Sequence, residues 1–348
     1  MIGVSPHPTV PLAPAATSAL LEVQQLRAEI STEQGTLVAI KDVSFSIGRG
    51  KTLAIVGETG SGKSMTALAL LRLLPQPSRI AGGRIVLRSQ KLGQVDLASL
   101  RDNSEVLYRI RGGVISLIFQ EPLSALSPVH TIGSQIVEMV RLHSDASAPE
   151  AKVRSLEMLA KVGIPNPERS FEQYPHQLSG GMRQRAVIAM ALVCRPELVI
   201  ADEPTTALDM TTQAQVLNLL KTLQREIGCS LLLITHDMAV VAQMADEVAV
   251  MYYGQIVEQG PMRSVMTKPI HPYTRGLIQS LPAMNTGKRL FTIPGSAPSL
   301  LAAPAGCPFH PRCAYAQANR CDVGEVPPLR PFRSGQLGAC VRLEEINP

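Results

Sequence analysis

The stretch Val56-Gly57-Glu58-Thr59-Gly60-Ser61-Gly62-Lys63-Ser64 follows an apolar run, Thr52 to Val56, and leads into the helix-like pattern Met65 to Leu74. Its spacing, G-x4-G-K-S, is that of a phosphate-binding glycine loop between a strand and a helix. Glycines at 57, 60 and 62 let the backbone curl so that successive N–H groups point at phosphate oxygens, a path that side chains with a Cβ would obstruct. Glu58, Thr59 and Ser61 fill the rest of the loop. The start of the helix adds the positive end of its dipole. Lys63 supplies a compact charge for the β and γ phosphates, and the Ser64 hydroxyl is placed to ligate Mg2+. Further on, the apolar strand Leu198 to Ala201 ends in Asp202 and Glu203. Asp202 suits Mg2+, directly or through water, and Glu203 suits the activation of a water against the γ phosphate. Leu178-Ser179-Gly180-Gly181-Met182 opens a helix with Ser179 as its N-cap, and the glycines expose N–H groups as a second anion site. One chain thus carries two phosphate-binding helix starts and one glycine loop.

These groups need a scaffold, and the patterning describes one. From Leu20 to Phe45 apolar and polar residues alternate around a turn signal at Gln34-Gly35, which predicts antiparallel strands. Gly82 to Leu87 is another such strand, and Val114 to Phe119 is an apolar strand ended by Gln120-Glu121-Pro122. Between about 121 and 178 helical periodicity takes over, as in Ile132 to Leu142 and Ala151 to Val162, which predicts an inserted helical subdomain. Strands and helices then alternate: helix Met182 to Val193, strand Leu198 to Ala201, helix Thr211 to Ile227, strand Ser230 to Ile234, helix Met238 to Met244 and strand Glu247 to Tyr252. Such alternation predicts an α/β fold with a largely parallel sheet and its ligand at the strands' C-terminal ends.

The 348 residues are 45% hydrophobic and 18% charged, a globular composition with room for about two domains. The net charge of +5 is spread out rather than gathered in a Lys/Arg run, which disfavours nucleic acid as a partner. No apolar run approaches the length of a membrane span, the nearest being Ala186 to Val193. The first Lys or Arg is Arg27, and Pro6, Pro8, Pro11 and Pro14 mark residues 1–18 as a flexible leader without a secretory signal. The chain is therefore expected in the cytoplasm. Cys194 and Cys229 lie in apolar segments and are expected as buried thiols.

With Arg183-Gln184-Arg185 after it, the segment LSGGM resembles the signature motif of ABC-transporter ATPases. By the same resemblance Gln120 matches that family's Q-loop, Asp209 its D-loop and His236 its switch histidine, all in family order over residues 20–260. The resemblance implies a P-loop ABC ATPase with an antiparallel β subdomain over residues 19–265. It also implies a head-to-tail dimer in which the P-loop, Asp202 and Glu203 of one subunit face Ser179, Gly180 and Gly181 of the other across ATP. Gln120 would then meet Mg2+ and the attacking water, and His236 the γ phosphate and the same water. One departure is that Ala28 to Lys41 holds no Phe, Tyr or Trp to stack on adenine, so relaxed preference for ATP over GTP is expected.

Lys268-Pro269-Ile270-His271-Pro272-Tyr273-Thr274-Arg275-Gly276-Leu277 and Ile293-Pro294-Gly295 resemble the C-terminal extension of dipeptide and oligopeptide importer ATPases, here residues 266–348. That resemblance implies two transmembrane permease subunits, a second ATPase subunit that is a paralogue, an extracytoplasmic substrate-binding protein, and a place on the cytoplasmic face of the inner membrane. Cys307, Cys313, Cys321 and Cys340 are spaced C-x5-C-x7-C-x18-C, and in a cytoplasmic chain such clustering points to metal rather than disulfides. Four thiolates suit zinc or a four-iron four-sulfur cluster. The importer resemblance favours the cluster, in a structural role, with His310 as a bystander.

Two other readings fit an ABC ATPase: a non-transport enzyme acting on nucleic acid or ribosomes, and an exporter ATPase. The first usually carries paired cassettes, long arms or zinc modules, and the second is commonly fused to membrane spans. Related importers also carry nickel chelates, glutathione or sugars, so cargo stays open at this point.

Overall fold

The computed structural model describes residues 19–206, 208–281, 291–299, 301, 303–333 and 335–348. The leader expected over 1–18 lies outside them. In chain order the elements are β1 (Ala19–Thr32), β2 (Gly35–Gly48), β3 (Thr52–Val56), α1 (Lys63–Leu70), β4 (Ser78–Ser89), β5 (Gly93–Asp96), α2 (Glu105–Ile110) and β6 (Ile115–Ile118). The helices α3 (Pro122–Ala125), α4 (Ile132–His143), α5 (Ala148–Lys161), α6 (Pro167–Phe171) and α7 (Gly180–Leu192) follow. Alternation resumes with β7 (Leu198–Asp202), α8 (Met210–Ile227), β8 (Ser230–Thr235), α9 (Met238–Met244), β9 (Glu247–Tyr252) and β10 (Gln255–Pro261). The tail contributes α10 (Met262–Thr267), α11 (Pro272–Gln279), β11 (Arg330–Pro331), β12 (Leu337–Gly338) and α12 (Leu343–Ile346).

Two sheets organise the α/β fold. One is antiparallel, in the order β2-β1-β4-β5, with the β1–β2 hairpin turning between Thr32 and Gly35 as the turn signal predicts. The other has the order β11-β12-β10-β9-β3-β8-β7-β6, parallel from β9 to β6 and antiparallel beyond. The tail strand β12 pairs with β10 at Glu258 and Gly338, so the extension is sewn onto the edge of the main sheet.

Strand side chains alternate between faces, and that alternation divides the core. Leu53, Ile55, Leu198, Ile200, Leu232, Ile234, Ala249 and Met251 pack toward the antiparallel sheet. Their neighbours Ala54, Val56, Val199, Ala201, Leu231, Leu233, Val248 and Val250 pack against the helices. Because both faces are covered, these strands read as unbroken apolar runs, as buried parallel strands do. Ile132, Ile136 and Val140 on α4, with Leu159 and Phe171, belong to the second core, which joins the inserted helices to the sheet. Of the two thiols expected inside, Cys229 is buried; Cys194 is only half-buried and donates its S–H to Met139 O at 3.3 Å. Among the described residues no helix is long and apolar enough to cross a membrane.

Candidate ATP site and C-terminal thiol cluster

β3 delivers the chain to the glycine loop and α1 begins at Lys63. At Gly57 a Cβ would stand 2.1 Å from Met251 O, so only glycine lets the loop start this close to β9. Gly62, the N-cap of α1, has φ 102°, a left-handed backbone that favours glycine. Lys63 is buried, and its ammonium donates to Gly57 O at 2.8 Å and Glu58 O at 2.9 Å. Burial lowers its pKa, opposed by the carboxylates of Glu203, Asp202 and Glu58.

The ends of neighbouring parallel strands bring the other groups to this loop. Ser64 Oγ donates to Asp202 Oδ1 at 3.2 Å. Burial raises the Asp202 pKa, Glu203 adds to the rise, and Ser64 and Lys63 oppose it. Glu203 follows β7 with φ 46°, a strained left-handed backbone held by its N–H donating to Ile234 O at 2.8 Å. That turn aims a side chain only 11% exposed into three partners. Oε2 accepts from Gln120 Nε2 at 3.1 Å and Thr206 Oγ at 2.8 Å, and His236 Nδ1 lies 3.2 Å from Oε1. His236 sits between the end of β8 and Asp237, which caps α9 by accepting from Ala239 N. Lys63, Ser64, Gln120, Asp202, Glu203 and His236 thus converge.

The remaining predicted residues lie elsewhere. Ser179 caps α7, accepting from Met182 N at 3.3 Å; Ser179 and Gly180 are exposed and Gly181 half-buried. Asp209 caps α8, accepting from Thr211 N and Thr212 N at 3.0 Å and from Thr212 Oγ at 2.6 Å, and these bonds lower its pKa. A Cβ on Gly181 would lie 3.1 Å from the Thr212 methyl, so the two helix starts adjoin. Among the described residues no hydrogen bond joins either to the glycine loop.

The sequence reasoning missed three participants. Thr206 orients Glu203 from three residues on, a spacing that could have flagged it. Tyr273 OH accepts from Glu58 N–H at 2.9 Å, and Arg312 forks onto the Glu58 carboxylate at 2.7 and 2.9 Å. Nothing local in the sequence announces either contact.

In the tail Cys307, Cys313, Cys321 and Cys340 line one small cavity, with His271, Phe309 and His310 also at its wall. His310 Nδ1 lies 2.9 Å from Cys307 O. Three of the four sulfurs meet a backbone N–H: Tyr315 for Cys313, Gln317 for Cys321 and Arg342 for Cys340, each at 3.4 Å. Burial pushes the Cys307 thiol up to about 12, and the other three sulfurs add to the rise. Among the described residues no group of three or more His, Cys, Asp or Glu side chains forms a site that could hold a metal ion.

A glycine loop, two acids at a strand end and a serine-capped glycine helix start, all on a mixed sheet with an inserted helical layer, define an ABC-type ATPase. The ABC transporter family matches residues 40–206, and the oligopeptide/dipeptide transporter C-terminal region matches residues 257–321. The dimeric post-hydrolysis structure of the ATP-binding cassette MJ0796 bound to ADP and Pi aligns with a TM-score of 0.61 and 26% identity, over 70% of this chain and 99% of that one. The oligopeptide transport ATP-binding protein OppD of Escherichia coli is 45% identical across 97% of this chain and 98% of its own length. The dipeptide transport ATP-binding protein DppD of Bacillus subtilis is 48% identical across 84% and 86%, and a putative peptide import ATP-binding protein of Brucella melitensis 47% across 94% and 98%. The chain belongs to the ATPase subunits of ABC-type oligopeptide and dipeptide importers.

Proposed function

We propose that this chain hydrolyses ATP sandwiched between two ATPase subunits and so drives two membrane-embedded permeases that import peptides. The observation that carries the reading is the Glu203 carboxylate, oriented by Gln120, Thr206 and His236 beside the Ser64–Asp202 pair. Glu203 takes the proton of a water as its oxygen bonds to the γ phosphorus and the bond to the ADP oxygen breaks. Lys63 and the loop N–H groups hold the phosphates, and His236 fixes the water and the γ-phosphoryl oxygens. Catalysis here is positioning and electrostatics, since charge spreads over the γ oxygens in the transition state. The hard oxygens of Ser64 and Asp202, with Gln120 beside them, fit Mg2+, whose contribution when bound is to neutralise phosphate charge. Ser179, Gly180, Gly181 and Asp209 serve the ATP of the partner subunit, a paralogue. The substrate-binding protein delivers cargo outside, and this chain works at the cytoplasmic face.

The four thiols are not gathered into a preformed metal site, but they line one cavity and are read as the ligands that a four-iron four-sulfur cluster would draw together. An N–H donor at three of the four sulfurs supports thiolate ligation, because such bonds stabilise ligating sulfur. The cluster would tie four tail segments together. Purification from native membranes in mild detergent tests the whole: two multi-span permeases and a second ATPase are expected to accompany this chain. Recovery with ribosomes or nucleic acid and no permeases would sink the transport reading. Iron and sulfide analysis of anaerobic protein tests the cluster, and one zinc per chain would overturn it.

A further inference from the structure

Glu58 is held on three sides. Its N–H donates to Tyr273 OH, its carbonyl oxygen accepts from the Lys63 ammonium, and its carboxylate takes the two-pronged guanidinium of Arg312. Both outer partners come from the C-terminal extension, Tyr273 on α11 and Arg312 more than 250 residues further along the chain than Glu58. We propose that the extension is a positioning element of the ATP site, in which Arg312 and Tyr273 fix Glu58 so that its carbonyl holds the Lys63 ammonium in register for phosphate.

The tail side of this clasp is built to be stiff. Arg312 has a side chain only 5% exposed, with Nε donating to Pro294 O at 3.0 Å and Nη1 reaching Tyr252 OH at 3.5 Å. A fork of parallel N–H bonds sets the carboxylate plane as well as its distance, which a lysine could not do. The Arg312 guanidinium lies near the rings of Tyr252 and Phe309, and Tyr252, Tyr273 and Phe309 pack as a trio with centroids 4.6 to 5.3 Å apart. Tyr252 ends β9, the strand whose Met251 carbonyl presses on Gly57. The loop's first two residues are therefore gripped from the sheet and from the tail together. Arg312 and Tyr273 touch no phosphate in this scheme; they act through Glu58.

The inference rests on the ATP-site reading, so Lys63→Ala is the control in the full-length chain. Equilibrium binding of MgATP is measured without turnover, alongside KM, kcat and Tm. Tyr273→Phe removes one oxygen and keeps the aromatic trio, and Glu58→Gln removes the charge that the fork grips. Both variants are expected to bind MgATP roughly five- to twentyfold more weakly and to raise KM by a similar factor, as displaced catalytic geometry does. For Tyr273→Phe the Tm should stay within about 2 degrees, as for loss of a single hydrogen bond. Arg312→Lys, which keeps charge but not the fork, should fall between wild type and Glu58→Gln. A tail that only stabilises the fold would move Tm and leave affinity alone. If Lys63→Ala abolishes binding while Tyr273→Phe and Glu58→Gln bind within twofold of wild type, the clasp is refuted and the ATP site stands. If Lys63→Ala binds MgATP normally, the ATP-site reading itself falls and takes the clasp with it.

Discussion

Replacing Glu203 with glutamine separates folding, binding and chemistry at one position. The carboxylate is nearly buried, and each of its partners can accommodate an amide. Gln120 Nε2 and Thr206 Oγ both donate to Oε2, so an amide oxygen placed there keeps both bonds. The amide NH2 then faces His236 Nδ1, which accepts in the tautomer protonated on Nε2. With no buried polar group orphaned, the folding cost stays below about 1 kcal/mol. Removing the negative charge also relieves Asp202, whose ionisation Glu203 disfavours, so the metal-side carboxylate is not weakened. What the substitution removes is the proposed proton acceptor. General-base loss is worth roughly 100- to 10,000-fold, or about 3 to 5 kcal/mol of barrier. Phosphate release under saturating MgATP should fall by that factor, MgATP affinity should hold within about threefold because the phosphate ligands are untouched, and ATP should shift the ATPase subunits to a stable dimer on size exclusion. Hydrolysis within threefold of wild type, with Tm preserved, would remove Glu203 from the role of base.

Asp202→Asn should raise the Mg2+ concentration needed for half-maximal turnover by roughly 10- to 100-fold, as losing a metal-side carboxylate does, and a Mg2+ titration of phosphate release measures it. With no aromatic residue over 28–41, KM for GTP should lie within about threefold of that for ATP, since base stacking contributes little; a large preference for ATP in a purine competition assay would show that the base is held another way. Burial takes the His271 imidazole down to about 3, so the folded state binds fewer protons than the unfolded one between that value and its ordinary 6.5. Stability is therefore full above the unfolded pKa and is lost as pH falls through this window, by about 2 kcal/mol from pH 7 to pH 5 for this group. His271→Gln should flatten that acid limb in urea melts at the two pH values, and an unchanged slope would assign it to other groups.

The residues proposed to meet ATP were legible because their chemistry is local. A glycine loop needs eight consecutive positions, and a strand end that carries acids needs only a short apolar run before them. The parallel strands were legible too, since burial on both faces leaves unbroken runs such as Leu231 to Ile234. What stayed hidden depends on contacts between distant segments. Arg312 sits in a proline-rich tail with no periodic pattern, and its partner lies at the start of the glycine loop. The tail strands β11 and β12 are two residues long, too short for alternation to register. The left-handed backbone at Glu203 is equally silent, because glutamate is not a residue whose type announces positive φ.

The two groups into which the predicted residues fall also bear on why one chain carries two candidate anion-binding helix starts. The first four N–H groups of a helix have no partner within it. At α7 the Ser179 side chain satisfies Met182 N, which leaves the donors of Gly180 and Gly181 on an open surface. The adjoining start of α8 is closed by Asp209, and the next residue, Met210, is 88% exposed. Orphan donors beside a large exposed thioether make a surface suited to being covered. At the glycine loop the balance is reversed: the proposed base, the lysine and the proposed metal-side oxygens are assembled on one chain. A second subunit turned head to tail would answer both needs at once, donating its α7 start to the open side of the phosphates. Hydrolysis would then require the dimer, and loss of the γ phosphate would remove the anion that joins the two halves. Coupling ATP turnover to movement of a permease would follow from that dependence, because hydrolysis would release the γ phosphate that both subunits hold.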